Sequence, residues 1–377
     1  MRVLYVAGPS PATVFAFAPL ATALRHAGHE VFMATTEEMM PVVEGAGLPG
    51  IPVTARSLLS FLTTDREGRP VAAPTGLREE WRHAGGWFGR LAAASLGPLL
   101  DLSRDWRPDL VVGGTRSYAA ALLAAHLGVP HVRHAWDMVD DTEVDPHADA
   151  ELRPELHAMG LERIPDPALF LDICPPALRR AGTAPAAPVR GVRWVPGNRQ
   201  RKLQPWMYTR GDRPRICVTS GSRVTLTGSH DFLRDLVNSV STPDVEVVVA
   251  APEDAALPLR AALPGIRIGW IPMDVVAPTC DLIVHHGGGA TGMTALNAGT
   301  PQLTLPQWAI FNESVQRVSA YGASLTLLPG EQTPDAVARA REELLGDPGY
   351  RVRARALSAE IAQLPSLART VEILEDL

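Results

Sequence analysis

The run Asp281-Leu-Ile-Val-His-His286-Gly-Gly-Gly-Ala290-Thr291 holds the residue types, in the right order, to seat a phosphate. Asp281 to His285 is a short apolar run suited to a strand covered on both faces, and Thr291 to Ala298 has helical composition that stops at Gly299, with Pro301 shortly after. Between them lie Gly287, Gly288 and Gly289. Glycines let a backbone approach a ligand, and the free N–H groups of a first helical turn face it with the positive end of the helix dipole, so an anion is favoured there. A pyrophosphate fits. No Gly-Lys-Ser/Thr follows, which excludes a Walker A loop, and the turn does not open the first βα unit as a dinucleotide fingerprint would. The expectation is a diphosphate leaving group held in a second domain; the competing reading is a tight turn and nothing more.

The elements that must position this turn follow from βα alternation. Strand-like runs fall at Val3–Ala7, Glu30–Ala34, Asp109–Val112, Pro130–Val132 and Leu169–Ile173, with helical stretches such as Val14–Ala27 and Ala119–Leu127 between them. After a Pro-, Gly- and Arg-rich break from Pro196 to Pro214, strands resume at Arg215–Thr219, Val245–Ala250, Ile266–Trp270, Leu282–His285 and Gln302–Leu305. The pattern predicts α/β architecture: two doubly wound parallel-sheet domains, residues 1–207 and 208–377, facing across a cleft at the carboxyl ends of their strands, with the helical C-terminus packing back on the first.

Composition agrees with two soluble cores. The chain has 377 residues, 46% hydrophobic and 20% charged, and a formal charge of −6, which argues against a nucleic-acid surface. Lys202 is the only lysine, so the positive charge is almost all arginine. Cys174, Cys217 and Cys280 are widely spaced and odd in number, so neither a zinc site nor a disulfide framework is expected; they read as core thiols in a reducing cytoplasm. The apolar start, Val3 to Leu24, is broken by Pro9, Ser10, Pro11 and Pro19 and reads as strand, loop and helix, not as a signal or membrane segment.

Met1-Arg-Val-Leu-Tyr-Val-Ala-Gly8, Gly28-His-Glu-Val31, Trp106-Arg-Pro-Asp-Leu-Val-Val112, Trp270-Ile-Pro272 and the His286 glycine turn together make the chain resemble the nucleotide-sugar-dependent glycosyltransferases of GT-B fold. Within them it is most similar to the enzymes that attach deoxysugars to aromatic polyketides, of the type of the urdamycin and landomycin olivosyltransferases, which are C-glycosyltransferases. Gly8-Pro-Ser-Pro-Ala-Thr-Val-Phe15, Thr64-Asp-Arg-Glu-Gly68, Ala135-Trp-Asp137, Asp172-Ile-Cys-Pro-Pro176, Pro205-Trp-Met-Tyr-Thr209 and Val218-Thr-Ser-Gly-Ser-Arg223 carry that closer likeness. The resemblance implies a dTDP-2,6-dideoxyhexose donor, dTDP-D-olivose, bound by the C-terminal domain with neither cofactor nor metal. It places Trp270 on thymine, the Ile271 backbone at the base edge, and Ser222, Arg223, His286 and the Gly288–Gly289–Ala290–Thr291 amides at the diphosphate. Trp270 as a core aromatic and His286 as a satisfied strand-end histidine are the alternatives.

Three places depart from the wider family. Many of its members carry a histidine base in the loop after the first strand, where this chain has Ser10-Pro-Ala-Thr13. Ser10 is kept as a candidate at that point, and Asp137, following the run Pro130–Ala135, becomes the candidate base, against the alternative of a turn or helix-cap aspartate. A carboxylate suffices if the nucleophile is the ortho carbon of a phenolate, since phenols titrate near 10. Past Pro306 the common Asp-Gln pair is replaced by Ile310-Phe311, which suits a sugar lacking the 2- and 6-hydroxyls; a differently packed loop would read the same. Ala290 occupies a position that is glycine in the common motif.

For the acceptor, Phe15, Phe61, Trp81 and Trp87 are candidate walls for a flat polyketide, although core-facing helices show the same spacing. Thr63 to Pro70 reads as a mobile lid. The expected activity is inverting C-glycosyl transfer to an aromatic polyketide in antibiotic biosynthesis. Alternatives are O-glycosyl transfer to a related acceptor, a non-catalytic GT-B-fold helper of a partner enzyme, and a dehydrogenase, the last opposed by Gly8-Pro-Ser-Pro. Cytoplasmic location is expected, with no membrane partner, and a homodimer is left open.

Overall fold

The computed structural model describes residues 1–139, 142–180, 187–221 and 230–377. They form two compact units. The first comprises Met1–Ile173, Arg180–Arg193 and Leu364–Leu377, and the second Cys174–Arg179 and Trp194–Gln363.

The first unit is built on β1 (Arg2–Val6), β2 (Glu30–Thr36), β3 (Gly50–Thr54), β4 (Leu110–Gly114), β5 (His131–His134), β6 (Leu169–Asp172) and β7 (Val189–Gly191). They pair in parallel in the order β3-β2-β1-β4-β5-β6-β7. The order reverses between β1 and β4, the kind of point where α/β sheets open a ligand crevice outside the carboxyl ends of their strands. The second unit repeats the plan with β8 (Arg215–Thr219), β9 (Glu246–Ala250), β10 (Arg267–Gly269), β11 (Leu282–His285), β12 (Gln302–Thr304) and β13 (Ser324–Thr326), in the order β10-β9-β8-β11-β12-β13. Its switch point lies between β8 and β11.

The parallel sheets and their double winding agree with the expectation from βα alternation. Strands β3, β7 and β13 go beyond that expectation, because Pro52 within Gly50–Thr54 argues against a strand and β7 and β13 are only three residues long. The aromatic segment around Trp81–Leu91 lies within one long helix, Leu77–Asp105. Its Gly85 and Gly89 face the helix Asp145–Glu151: a Cβ at Gly85 would lie 2.5 Å from the His147 Cβ, and one at Gly89 2.7 Å from the Glu151 Cγ. Glycine here is a packing requirement, because it lets two helices meet almost backbone to backbone.

The segment Thr63 to Pro70, expected as a mobile lid, is anchored. Thr64 and Pro70 form an antiparallel bridge, and the Arg66 guanidinium pairs with Glu151 and Glu155, each at 2.7 Å and partly shielded from water. The carboxyl-terminal helix Leu367–Glu375 belongs to the first unit, where it packs on the helix Pro11–His26, and Glu375 meets the His29 ring at 2.8 Å. The Pro-rich stretch 196–214 is part of the second unit: its one helical turn, Pro205–Tyr208, sets Met207 into a cluster with Cys217, Ile271, Cys280 and Ile283. All three cysteines are free and buried. No helix among the described residues is long and apolar enough to cross a membrane.

Three histidines are held neutral within these cores. Burial pushes His131 down to about 3, with Arg133 adding repulsion, and pushes His134 and His285 to about 4 against the partial offset of their own hydrogen bonds. Unfolded histidine titrates near 6.5. Acidification from about pH 6.5 toward 4 therefore protonates the unfolded chain and not the native one, so stability is constant above this window and lost within it, by at most about 1.4 kcal/mol per pH unit for each ring. The urea midpoint should fall between pH 7 and pH 5, and His285→Gln should lower that dependence by roughly one proton; an unchanged slope in the variant would show that His285 titrates normally in the fold.

Candidate active site

In the second unit the residues after β11 are shaped from below by His285. With its ring neutral, Nδ1 accepts from the Gly287 N–H at 3.2 Å, which leaves the proton on Nε2 to donate to the Gln302 Oε1 at 2.8 Å. The chain then turns through Gly287, at φ +83°, a conformation only glycine adopts without strain. A helix begins at Gly289 and runs to Asn297. It ends in a Schellman motif: the amide of Gly299, at φ +65°, bonds the Leu296 carbonyl, and the Thr300 amide bonds that of Ala295. At the other end nothing of the kind happens. The N-cap is Gly288, no side chain caps the turn, and the first turn carries no acidic residue. The N–H groups of Gly289, Ala290 and Thr291 are thus left to a ligand, in a stretch that is partly open to solvent.

His286 lies against this turn from the β8 side. A Cβ on Gly221 would fall 2.5 Å from its Cε1, and a Cβ on Gly288 would fall 2.4 Å from its Nε2, so the imidazole occupies the space that two missing side chains leave. Gly221, at φ +77°, follows β8 and takes its bend from a bond between its amide and the Thr219 Oγ1 at 3.0 Å. The loops after β8 and β11, on either side of the switch point, therefore meet through one histidine ring. Pro306, in the loop after β12, abuts the same turn: a Cβ on Gly287 would lie 3.4 Å from the Pro306 Cβ. Ile310 and Phe311 follow on a short helical turn, Ala309–Phe311, and are half-buried. Trp270 follows β10; its indole N–H donates to the Arg199 carbonyl at 3.1 Å, and its own carbonyl accepts from Arg201 at 2.7 Å, which fixes the ring plane. Ile271 is packed into the core, leaving its backbone as the part that a ligand could meet. Ser222 and Arg223 lie outside the described residues.

In the first unit the carboxyl ends of β1, β4 and β5 converge on Trp136. Its indole occupies the place of a side chain on Gly114, where a Cβ would come within 2.0 Å of the ring, and its Cη2 is 3.4 Å from the corresponding point on Gly8. Phe17 and Phe88 flank it, each with ring centroids 5.9 Å away, and Trp87 stacks on Phe88 at 3.5 Å. The next residue, Asp137, accepts from the Val139 amide at 3.0 Å through Oδ1 and meets the Arg116 Nη1 at 3.5 Å through Oδ2. Both members of that pair are more than nine-tenths buried.

Two candidates require correction. Ser10 is the N-cap of the helix Pro11–His26: its Oγ accepts from the Thr13 amide at 3.4 Å, and the residue is buried, so the hydroxyl serves the helix end and is not set up to move a proton. Phe61 is completely buried, with the Arg56 guanidinium 4.6 Å from its ring centroid, and so supports the core instead of walling an acceptor. Phe15 and Trp87 are nearly buried, and Trp81 is partly exposed. Among the described residues no group of three or more His, Cys, Asp and Glu side chains is placed to hold a metal ion.

Known proteins share this fold. Residues 22–221 match the N-terminal-domain model, and residues 234–377 the C-terminal-domain model, of erythromycin biosynthesis protein CIII-like proteins. The chain belongs to this family. It is similar to the L-demethylnoviosyl transferase of Streptomyces niveus, 32% identical over 99% of this chain and 97% of the relative, and to the elloramycin glycosyltransferase of Streptomyces olivaceus, 30% identical over 98% and 95%. Among solved structures, the glycosyltransferase SsfS6 of Streptomyces sp. SF2575, complexed with thymidine diphosphate, superimposes with a TM-score of 0.85 at 34% identity over the whole of both chains. The spinosyn rhamnosyltransferase SpnG, complexed with spinosyn aglycone, does so with 0.85 at 30%. The protein is therefore a glycosyltransferase of the antibiotic and polyketide class, with the GT-B pair of Rossmann-like domains.

Sequence reasoning misses two features of these strand ends. Trp136 was passed over, although Gly113-Gly114 at a strand end is a mark of close approach by another group. Arg116 was passed over because arginine is abundant here and nothing local marks this one as buried. The glycines around His286 yield a test. Gly288→Ala would push the imidazole out of its slot without straining the backbone, whereas Gly221→Ala would add the cost of a positive φ, about 1 kcal/mol or more. Both should weaken binding of inorganic pyrophosphate by about tenfold in calorimetry, with Gly221→Ala also lowering the melting temperature; unchanged affinity in Gly288→Ala would separate the ring from the anion site.

Proposed function

We propose that this chain is an inverting C-glycosyltransferase that moves a 2,6-dideoxyhexose, D-olivose, from its dTDP ester to an aromatic carbon of a polyketide. The observation that carries the donor half is the uncapped, acid-free helix start at Gly289, with His286 wedged between Gly221 and Gly288 at the switch point of the second sheet. Such a site stabilises charge that grows on a departing diphosphate, which is where electrostatic catalysis has most effect. Ser222 and Arg223 would add to it, Trp270 would stack on the base, and the Ile271 backbone would meet the base edge. The thymidine diphosphate in SsfS6 supports this choice of nucleotide. Ile310 and Phe311, half-buried beside the turn, suit a sugar lacking hydroxyls at two carbons. The second domain thus takes the nucleotide sugar and the first the acceptor.

Asp137 is the acid–base residue of this reading. Its carboxylate would take the proton of a phenol, the ring would attack the anomeric carbon from its ortho position, and dTDP would leave with the bonding electrons, inverting an α-linked donor to a β product; the attacked ring carbon would then lose its hydrogen as a proton, which restores the aromatic ring and the phenol. The missing histidine after β1 and the closer likeness to the olivosyltransferases of urdamycin and landomycin biosynthesis support transfer to carbon. Attack by the phenol oxygen is the second reading, favoured by the fact that the same carboxylate would serve it equally.

Asp137→Ala should lower turnover by about two orders of magnitude while leaving dTDP affinity intact, and near-normal turnover would show that the acceptor ionises without it. His286→Ala should weaken dTDP binding, read by calorimetry; equal heats in both proteins would remove the imidazole from the donor site. Hot dilute acid applied to the product should leave the sugar attached. Release of free sugar would establish the oxygen-linked alternative, and no product at all from the purified chain with dTDP-olivose would point to a non-catalytic helper.

A further inference from the structure

An aromatic ring serves best as a stacking platform when its plane is set before the ligand arrives, because side-chain freedom lost on binding is subtracted from affinity. β10 ends at Gly269, so the Trp270 indole stands just past the strand, half-buried. Its restraint comes from far earlier in the chain. The ring N–H donates to the Arg199 carbonyl at 3.1 Å, and the Arg201 Nη1 donates to the Trp270 carbonyl at 2.7 Å.

The same short stretch is tied down a second time, on Asp274. The Asn198 Nδ2 donates to the Asp274 Oδ1 at 3.2 Å, and the Gln200 Nε2 donates to the Oδ2 at 3.0 Å. Asp274 sits on the helical turn Met273–Val276, just after Trp270-Ile271-Pro272. One carboxylate thus holds residues 198 and 200, while residues 199 and 201 hold Trp270. The stretch follows Pro196-Gly197 and has no regular secondary structure, so no helix or strand ladder keeps it in place. Hydrogen bonds to an ionised group are stronger than those between neutral groups, and Asp274 accepts two of these four.

We infer that Asp274 is a positioning residue for the nucleotide base: it holds Asn198–Arg201 as a strap beside Trp270, and the strap sets the indole for stacking. The inference rests on the proposed stacking of Trp270 on the base. The indole N–H is spent on Arg199, so the ring offers a ligand its face. The Arg201 bond fixes the backbone immediately before Ile271, the residue assigned to the base edge. The glycine turn has its own support in His285 and Gln302, so loss of the strap is felt by the base and not by the diphosphate.

Calorimetry on the full chain separates these two ends of the donor, since dTDP engages both and inorganic pyrophosphate only one. Trp270→Ala should weaken dTDP binding about tenfold, the size of one lost stacking contact. Asp274→Ala should weaken it about fivefold, and so should the double variant Asn198→Ala/Gln200→Ala; pyrophosphate affinity should stay the same in all three. In turnover, Asp274→Ala should raise the donor KM by that factor with kcat unchanged, as loss of ground-state binding does. A folded Asp274→Ala with full dTDP affinity, beside a Trp270→Ala that has lost it, overturns the inference and leaves the stacking role standing. Full dTDP affinity in Trp270→Ala overturns the stacking role itself. Equal losses of dTDP and pyrophosphate affinity in Asp274→Ala would mark a general loosening of the unit and reject a role confined to the base. If Asp274→Ala does not fold, the double variant decides by the same two titrations, because it alters only partly or fully exposed side chains.

Discussion

The contact on which the donor half depends is the bond from the Gly287 amide to the His285 ring. It occupies the first amide of the glycine turn, while those of Gly289, Ala290 and Thr291, at the start of the helix, have no partner from a capping side chain. Burial keeps His285 neutral, so its Nδ1 can accept, and Gln302 on the neighbouring strand holds the other nitrogen. A protonated ring could not accept that bond, and the turn would lose its support from below. The helix is thus terminated by its own backbone at one end and left without a capping side chain at the other, where its dipole favours an anion.

The first unit solves a different problem with the same sheet. Its carboxyl edge is filled, not left open: Trp136 lies on Gly114, Phe17 and Phe88 close around it, and the Arg116–Asp137 pair is folded into what remains. An ion pair this deeply buried is a poor source of stability, since removing both charges from water costs about as much as their attraction returns. Arg66, by contrast, ties a surface loop to Glu151 and Glu155 while all three remain partly hydrated, which is a structural clamp and explains why a segment rich in charge is nonetheless ordered.

The two switch points show one topology with two different linings. After β8 and β11 the chain uses glycines at positive φ, so backbone amides and a single imidazole line the sheet end. After β4 and β5 it uses bulky aromatics and a charged pair, so side chains fill it. Backbone amides suit a diphosphate, whose charge is spread over many oxygens; an aromatic acceptor needs walls and one or two polar anchors.

The sequence by itself determined the βα alternation, the glycine turn with its helix stop at Gly299, and the family resemblance, because these depend on residues adjacent in the chain and on local backbone limits. It also pointed to Asp137 through its place just past a strand. What tertiary structure alone decided was which side chains share a site. Phe61 and Trp87 look alike as aromatics at helical spacing, yet one is sealed completely into the core and the other stacks on Phe88, which in turn stacks with Trp136. Ser10 stood where a base was expected and became a helix cap. Arg116 and Asp137 are separated by a whole helix and strand, and their meeting follows from the lateral order of β4 and β5, as the wedge of His286 between Gly221 and Gly288 follows from that of β8 and β11. Strand order is set by how helices pack across both faces of a sheet, and no local pattern of residues encodes it.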